Sequence, residues 1–476
     1  MKKLFCLFLT AALVLGMCAC GGQKKDAETT PSLQVGFGRE KFNPSGPVWI
    51  SGGGNPNRVS ETFLDYLYVT CIALTDAEDN TVMIITADLQ GISTTIADPA
   101  RLAISTVTGV PKGNIMIAGT HTHSAPGVHY PESGYTGVTA ALEIFNKAIV
   151  RAAQVAMEDR SPAEISIGTA QTEGLAFIRH YKLENGTYAG ANFGDFSSSP
   201  IADYAGNNDG EVQLIRFTRP AEGKKDVLLM SFGVHPTFHG STSLFNLSAD
   251  FPGPTRDHIE ANSDCLVAYF TGAAGNQACS SRIEEHNSEA QTDYKIYGQT
   301  LGDYVLEALP DMQAVGSGTL QLSKKLLSMK TNKADLEKLA EATETYNAYL
   351  EGGYPLSDPL VAKYGFVRVF EARAIVNRAA LGETMNVILY ALSLGDISFT
   401  FAPYEMFTDN GMYIKANTPY EMTFLVGYAN SGHGYIPSKE GCEFRSYEVY
   451  DTKLELGSGE VLADEFLSML TELKGA

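Results

Sequence analysis

Apolar runs of strand length recur along the chain, separated by short polar turns. Segments 67–74 (LYVTCIAL) and 82–87 (VMIITA) are uninterrupted and β-branched, the pattern of strands buried on both faces. Segments 114–118, 163–168, 211–218, 227–234 and 266–270 read in the same way. Segment 33–44, with Gly36, Gly38 and Pro44, predicts a strand and a turn. Helical spacing of Leu142, Phe145, Ile149, Ala152 and Val155 predicts a long helix over 138–157. A second amphipathic helix is predicted over 288–309, and a shorter one over 99–108. Segment 319–329 alternates like a half-exposed strand, and 386–393 with 397–401 predicts a hairpin through Gly395. Between them, 332–350 reads as a solvated helix and 371–380 as its partner. The stretch of about 332–384 therefore looks like a helical insertion between sheet strands. Strands alternating with helices predict an α/β fold with a mixed sheet. No internal repeat is visible.

Composition narrows this picture. Hydrophobic residues make up 44 % of the 476, so bulk disorder is excluded. With 55 Asp and Glu against 35 Lys and Arg the formal charge is −20, which excludes a nucleic-acid backbone as partner. Lys2 and Lys3 precede an apolar run over 4–17, too short to span a bilayer, which ends in Met17-Cys18-Ala19-Cys20-Gly21-Gly22. This resembles a bacterial lipoprotein signal. Cleavage removes 1–19, and Cys20 is the lipid attachment residue, with Cys18 the alternative. Segment 20–32 is then a flexible tether, and 33–476 forms the folded domain, exported and lipid-anchored to the bacterial cell envelope. Loss of the two lysines moves the charge from −20 to −22. In an exported domain Cys71, Cys265, Cys279 and Cys442 allow one or two disulfides, Cys279 with Cys442 among them. No CxxC pair is present, which argues against a thiolate zinc site.

Four of the apolar strands end in polar clusters: His121-Thr122-His123, His235-Pro236, the stretch from Gly272 to Gln277, and Glu405. Functional groups concentrate at strand ends, where a rigid scaffold positions them. On a strand, residues i and i+2 share a face, so His121 and His123 converge. With a later histidine and a distant carboxylate, this matches a catalytic zinc site with a position left for water. Of nine histidines, four (His121, His123, His235, His239) directly follow predicted strands.

GTHTHSAPG, placed after NIMIA, resembles the signature of the neutral ceramidase family, which are zinc-dependent amidases. VGFGREKFNP, ISGGGN, LDYLYVTCIAL, VMIITADLQGI, FIRHY, FGVHP, FTGAAGNQ, FAPYEMF and LVGYANSGHGYIPS follow in that family's order, over about residues 34–450. The resemblance implies zinc bound by His121, His235, Glu405 and Tyr435. It turns His123 toward the substrate and places Arg179 near the site. Tyr447, twelve residues after Tyr435, is implied as a donor to a developing oxyanion. The implied reaction is amide hydrolysis of an N-acyl, sphingolipid-like substrate by zinc-activated water. For Glu405 the alternative is a buried ion pair with Arg179. The sequence departs from the family at Ala278, which stands where the family has a functional serine; Ser280 and Ser281 lie two and three residues on. The chain also ends soon after the tyrosine loop, where full-length ceramidases carry an immunoglobulin-like domain. Ala278 argues against ceramide itself, and keeps open an esterase or deacylase of a non-ceramide substrate, or a non-catalytic surface binding lipoprotein.

Overall fold

The computed structural model describes residues 33–475 apart from 53, 54, 56, 192, 193, 240–243 and 353–358. The expected signal, Cys20 and the tether lie outside the described residues. Three sheets share one topology. In the first, β1 (Gln34–Lys41), β2 (Tyr68–Thr75) and β3 (Thr81–Ala87) form an antiparallel meander. Helix α1 (Thr94–Thr108) then crosses to β4 (Ile115–Gly119), parallel to β3, and α2 (Val138–Glu158) follows. The second repeats this with β5 (Glu164–Gln171), β6 (Glu211–Thr218), β7 (Asp226–Phe232), α3 (Pro252–Asn262), β8 (Cys265–Thr271) and α4 (Tyr294–Ala308). The third consists of β9 (Leu320–Lys330), β10 (Thr384–Leu394), β11 (Ile397–Phe401), α5 (Thr408–Asn417), β12 (Met422–Val426) and α6 (Ser458–Gly475). In each unit the strand order places the last strand beside the third, then the second and the first. The chain is thus a threefold topological repeat, which the sequence does not disclose. The fold is mixed α/β, as the alternation of elements predicts.

Burial on both faces explains the unbroken apolar strands. The inner faces of the three sheets meet in one cluster that includes Val35, Ile72, Ile84, Ile215, Leu229, Phe270, Leu392, Phe399 and Phe424. Each outer face is covered by its own helix pair. Ile104 and Phe145 pack on Val69 and Ile85; Ile259 and Leu301 on Leu214 and Met230; Ile414 and Phe466 on Leu389 and Ala391. Burying one such side chain stabilises by about 1.5–3 kcal/mol. Gly36 and Gly38 let α2 lie directly on β1: a Cβ at Gly38 would stand 2.0 Å from the Ala152 carbonyl oxygen, and one at Gly36 1.9 Å from that of Ala156. Between the paired strands β9 and β10, the segment 331–383 carries helices Leu339–Glu351, Pro359–Lys363 and Val369–Ala379.

Some boundaries differ from the sequence reading. Pro99 lies inside α1, which begins at Thr94; the weak helix formers Thr94 and Thr95 hide that start. The predicted helix 288–309 is broken. Ser288 caps a 3₁₀ turn, Glu289–Thr292, and Asp293 accepts from the Lys295 amide to start α4 separately. Helices α3, α5 and α6 were not predicted; α3 and α5 have weak amphipathic patterns. The expected disulfides are absent: Cys71, Cys265, Cys279 and Cys442 are all free thiols. Burial pushes the Cys279 thiol up to about 12, so it stays protonated and inert. Among the described residues, no helix is long and apolar enough to cross a membrane.

Replacing Gly38 by Val drives a side chain into the α2 backbone and is expected to destabilise by about 3 kcal/mol. Leu326→Ala, at an exposed position, should change stability by less than about 0.5 kcal/mol. Denaturant unfolding of both variants checks the pair.

Candidate metal centre

Each of the three units delivers one side chain to a common point. His121 lies two residues beyond β4, His235 three beyond β7 and Glu405 four beyond β11. His121 adopts a left-handed backbone (φ 66°). The turn that aims its ring is held by amide bonds from Thr120 to the Ala87 carbonyl and from His121 to the Leu89 carbonyl. His121 and His123 converge across this turn, not along one face of a strand as the sequence suggests. The His121 ring stacks on Tyr428 at 3.9 Å. Tyr428 (φ 55°) and Asn430 (φ 67°) are also left-handed. Asn430 is clamped to Ile117 in both directions, by Ile117 N to its Oδ1 (3.0 Å) and by its own N to the Ile117 carbonyl (2.7 Å). Backbone strain of this kind persists only where the surroundings over-determine it.

The donor atoms lie close together. His121 Nε2 is 3.2 Å from His123 Nε2 and 3.3 Å from Glu405 Oε2, and His235 Nε2 is 3.1 Å from that same oxygen. Every ring turns its other nitrogen to a backbone carbonyl. His121 Nδ1 meets Gln90 O at 2.6 Å, His235 Nδ1 meets Ala274 O at 2.7 Å, and His123 Nδ1 meets Gly52 O at 3.1 Å. The Nδ1 protons are therefore spent on carbonyls, and the Nε2 lone pairs face one another and a carboxylate. Such a set suits a cation at its centre. Tetrahedral zinc with ligands at about 2.0–2.1 Å sets them about 3.3 Å apart, which these spacings match. Burial keeps two of the imidazoles in the neutral, ligating form, bringing His235 down to about 4 and His123 well below its ordinary value.

Tyr435 reaches the site through a two-residue parallel pairing of Glu405–Met406 with Tyr435–Ile436. Its ring lies nearly parallel to that of His235, 6.4 Å away. Its hydroxyl accepts from Arg179 Nη2 at 3.2 Å. Burial and then the Glu405 charge push this hydroxyl well above its ordinary value; a bound dication would reverse that. Arg179 does not pair with Glu405. Its carboxylate partner is Glu448 at 2.6 Å, which also binds His180 at 2.8 Å. Tyr447 packs edge-on to Tyr435 at 5.7 Å and accepts a hydrogen bond from Arg373 at 3.2 Å.

All seven of the chain's sequence-derived site residues from His121 to Tyr447 thus gather in one region. His123 stands beside the other donors, as its spacing alone implied, within a group of three histidines able to hold a metal. The sequence reading missed Tyr428, Glu448 and Arg373. Glu448 directly follows Tyr447 and Tyr428 lies seven residues before Tyr435, neither with a spacing signal; Arg373 comes from the insertion, 74 residues before Tyr447. It also missed Gly52, whose role is steric: a Cβ there would stand 2.7 Å from that of His123.

No protein-family model matches the chain, and neither does any curated protein. Solved structures do match. The neutral ceramidase from Pseudomonas aeruginosa aligns with a TM-score of 0.70 at 17 % identity, covering 93 % of this chain and 75 % of that one. A ceramidase complexed with C2 aligns with 0.68 at 16 % identity and the same coverage. The chain therefore has the fold of the neutral ceramidase structures, as its motif order implies.

Wild-type protein is expected to hold about one zinc per chain, and His121→Ala to lose more than about nine-tenths of it, by metal analysis after dialysis. Occupancy should be full at pH 7 and fall as the pH is lowered toward 4, since protonated imidazole cannot ligate.

Proposed function

We propose that this chain is a zinc-dependent hydrolase that cleaves the amide bond of an N-acyl, sphingolipid-like compound. The observation that carries this reading is the convergence of three imidazoles and Glu405, flanked by Arg179, Tyr435 and Tyr447, in a ceramidase fold. His121, His235, Glu405 and Tyr435 would hold the metal. A bound zinc supplies Lewis acidity, polarising a carbonyl and bringing the pKa of water from about 15.7 toward 7.

The remaining groups divide the other tasks. His123, kept unprotonated by burial and aimed by the Gly52 carbonyl, takes a proton from the attacking water and passes it to the leaving amine. Tyr447 donates its hydroxyl proton to the oxyanion that forms on the acyl carbon. Burial raises the pKa of this hydroxyl and keeps it a donor. Arg179, fixed by Glu448, donates to the Tyr435 hydroxyl and holds that ring in place. Removing one such donor typically costs about 3 kcal/mol in the transition state.

Ala278 pairs with His235 through a β-bridge and brings no hydroxyl to the centre. Ser281 is engaged by Tyr204 at 2.6 Å, and Ser280 is exposed, so neither replaces the missing group. This favours, as a second reading, an esterase or deacylase of a non-sphingoid substrate. Export and acylation at Cys20 belong to the same proposal. They place the site outside the cytoplasm and beside a membrane, with a lipid or small molecule as substrate and no nucleic acid as partner.

Zinc-loaded enzyme should release fatty acid from at least one member of a panel of N-acyl and O-acyl lipids, and a chelator should abolish the release. Tyr447→Phe should lower kcat about 100-fold with KM within about threefold. Binding without turnover anywhere on the panel would identify a surface binding lipoprotein instead. Cys20→Ser should move the protein from the membrane to the soluble fraction.

A further inference from the structure

Arg373 is the residue at the centre that its own neighbours explain least. It lies on the insertion helix Val369–Ala379, which is bolted in place by Arg378. That side chain donates to the Tyr450 carbonyl at 2.9 Å and the Ala334 carbonyl at 3.0 Å. The same helix presents Phe370, which packs on Tyr447 at 6.0 Å and lies under the Arg373 guanidinium at 4.9 Å. Arg373 is thus held against Tyr447 with little freedom to swing away. A guanidinium carries five N–H donors. Arg373 gives one to Tyr447 at 3.2 Å, and its nearest carboxylate, Asp451, stands 3.6 Å off, beyond a direct hydrogen bond. Its Nε is buried without a partner. Arg179, by contrast, is neutralised by Glu448 at 2.6 Å. The Arg373 side chain keeps 23 % exposure, although its Nε itself is closed off, so a ligand approaches it through the remainder of the side chain.

A planar anion meets the unpaired edge of a guanidinium with two parallel hydrogen bonds, a match that neither water nor a neutral amide reproduces. We propose that Arg373 is a specificity-determining residue that binds a carboxylate of the substrate beside the scissile amide, so that the preferred substrates are N-acylated amino acids. This rests on the acyl-hydrolase reading above and replaces its sphingolipid-like amine by an amino acid. The leaving group is then the amino acid, whose carboxylate Arg373 holds on the Tyr447 side while the amide carbonyl faces the histidines. Asp451 is a competing counter-ion that a bound carboxylate displaces.

Binding can be tested without turnover. Calorimetry on the zinc-loaded full chain would compare N-dodecylsulfonylglycine, whose sulfonamide is not cleaved, with the uncharged N-dodecylsulfonylglycinamide. The wild type is expected to bind the carboxylate probe about 10–100-fold more tightly, the range of a charge-assisted bidentate pair. Arg373→Gln should bring the two affinities together, and Arg373→Lys should recover part of the preference. Asp451→Asn, which leaves the arginine in place, should widen the preference several-fold and serves if Arg373→Gln does not fold. Equal affinities in the wild type overturn the proposal, as does an Arg373→Gln protein with unchanged melting temperature that keeps the preference. A carboxylate preference together with no release of fatty acid from N-dodecanoylglycine overturns N-acylated amino acids as the substrates, and the hydrolase reading falls only if nothing on the acyl panel is cleaved.

Discussion

Three imidazole lone pairs and a carboxylate oxygen point at one another inside the protein, at spacings of 3.1–3.3 Å. The rest of the architecture serves this arrangement. Each imidazole is locked by an Nδ1 proton given to a backbone carbonyl, and those carbonyls belong to loops that leave the strands. In water the groups would turn outward and be solvated. Here they are buried and cannot turn, so their mutual repulsion is relieved only by positive charge at the centre. The scaffold must therefore be stiff enough to hold these groups where they converge. Three sheets packed on one apolar core provide that stiffness.

The threefold repeat shows how one point comes to be addressed from three directions. In each unit a helix carries the chain from the third strand to a parallel fourth. The paired strand ends of every unit therefore open toward the same side. A loop at each such end contributes one donor. Ligands at the carboxyl ends of parallel strands are a general consequence of α/β topology; here three such ends share one axis region. A charge network then ties the units together. Glu448, from the end of the third unit, binds Arg179 and His180, which lie between β5 and β6 of the second. Breaking such a buried pair from one side leaves an uncompensated charge, which typically costs 3–5 kcal/mol. The network therefore fixes Arg179 toward Tyr435 rather than merely permitting that contact.

Much of this was legible in the chain. Strands such as 211–218 and 227–234 announce themselves by unbroken apolar character, because both of their faces are buried. His121, His235 and Glu405 stand out because a polar residue directly after such a strand needs a reason to be there. What was hidden has physical causes. Helices α3 and α5 pack with weak amphipathic patterns, and α1 begins with threonines. The threefold repeat is held by topology and burial, which many sequences satisfy, so it leaves no periodic motif. Glu448 and Arg373 act through contacts made only after folding, across 269 residues in the first case if counted to Arg179. No spacing rule connects them.

The division between the centre and its rim has a consequence for specificity. The donors that converge on the metal position come from the three core units, where any shift would disturb the shared packing. Tyr447 and Arg373 stand further out, one on a short helical turn and the other on an insertion between β9 and β10 that the sheet does not require. Groups on the insertion can change charge or size without moving His121, His235 or Glu405. At Ala278, beside His235, the chain carries a methyl group and no hydroxyl; at Arg373 it carries a guanidinium whose charge its own side chains meet incompletely. Under the proposed function, a methyl group near the centre and a cation at its edge would act in the same direction, lowering the advantage of an uncharged, hydroxyl-rich substrate and raising that of an anionic one.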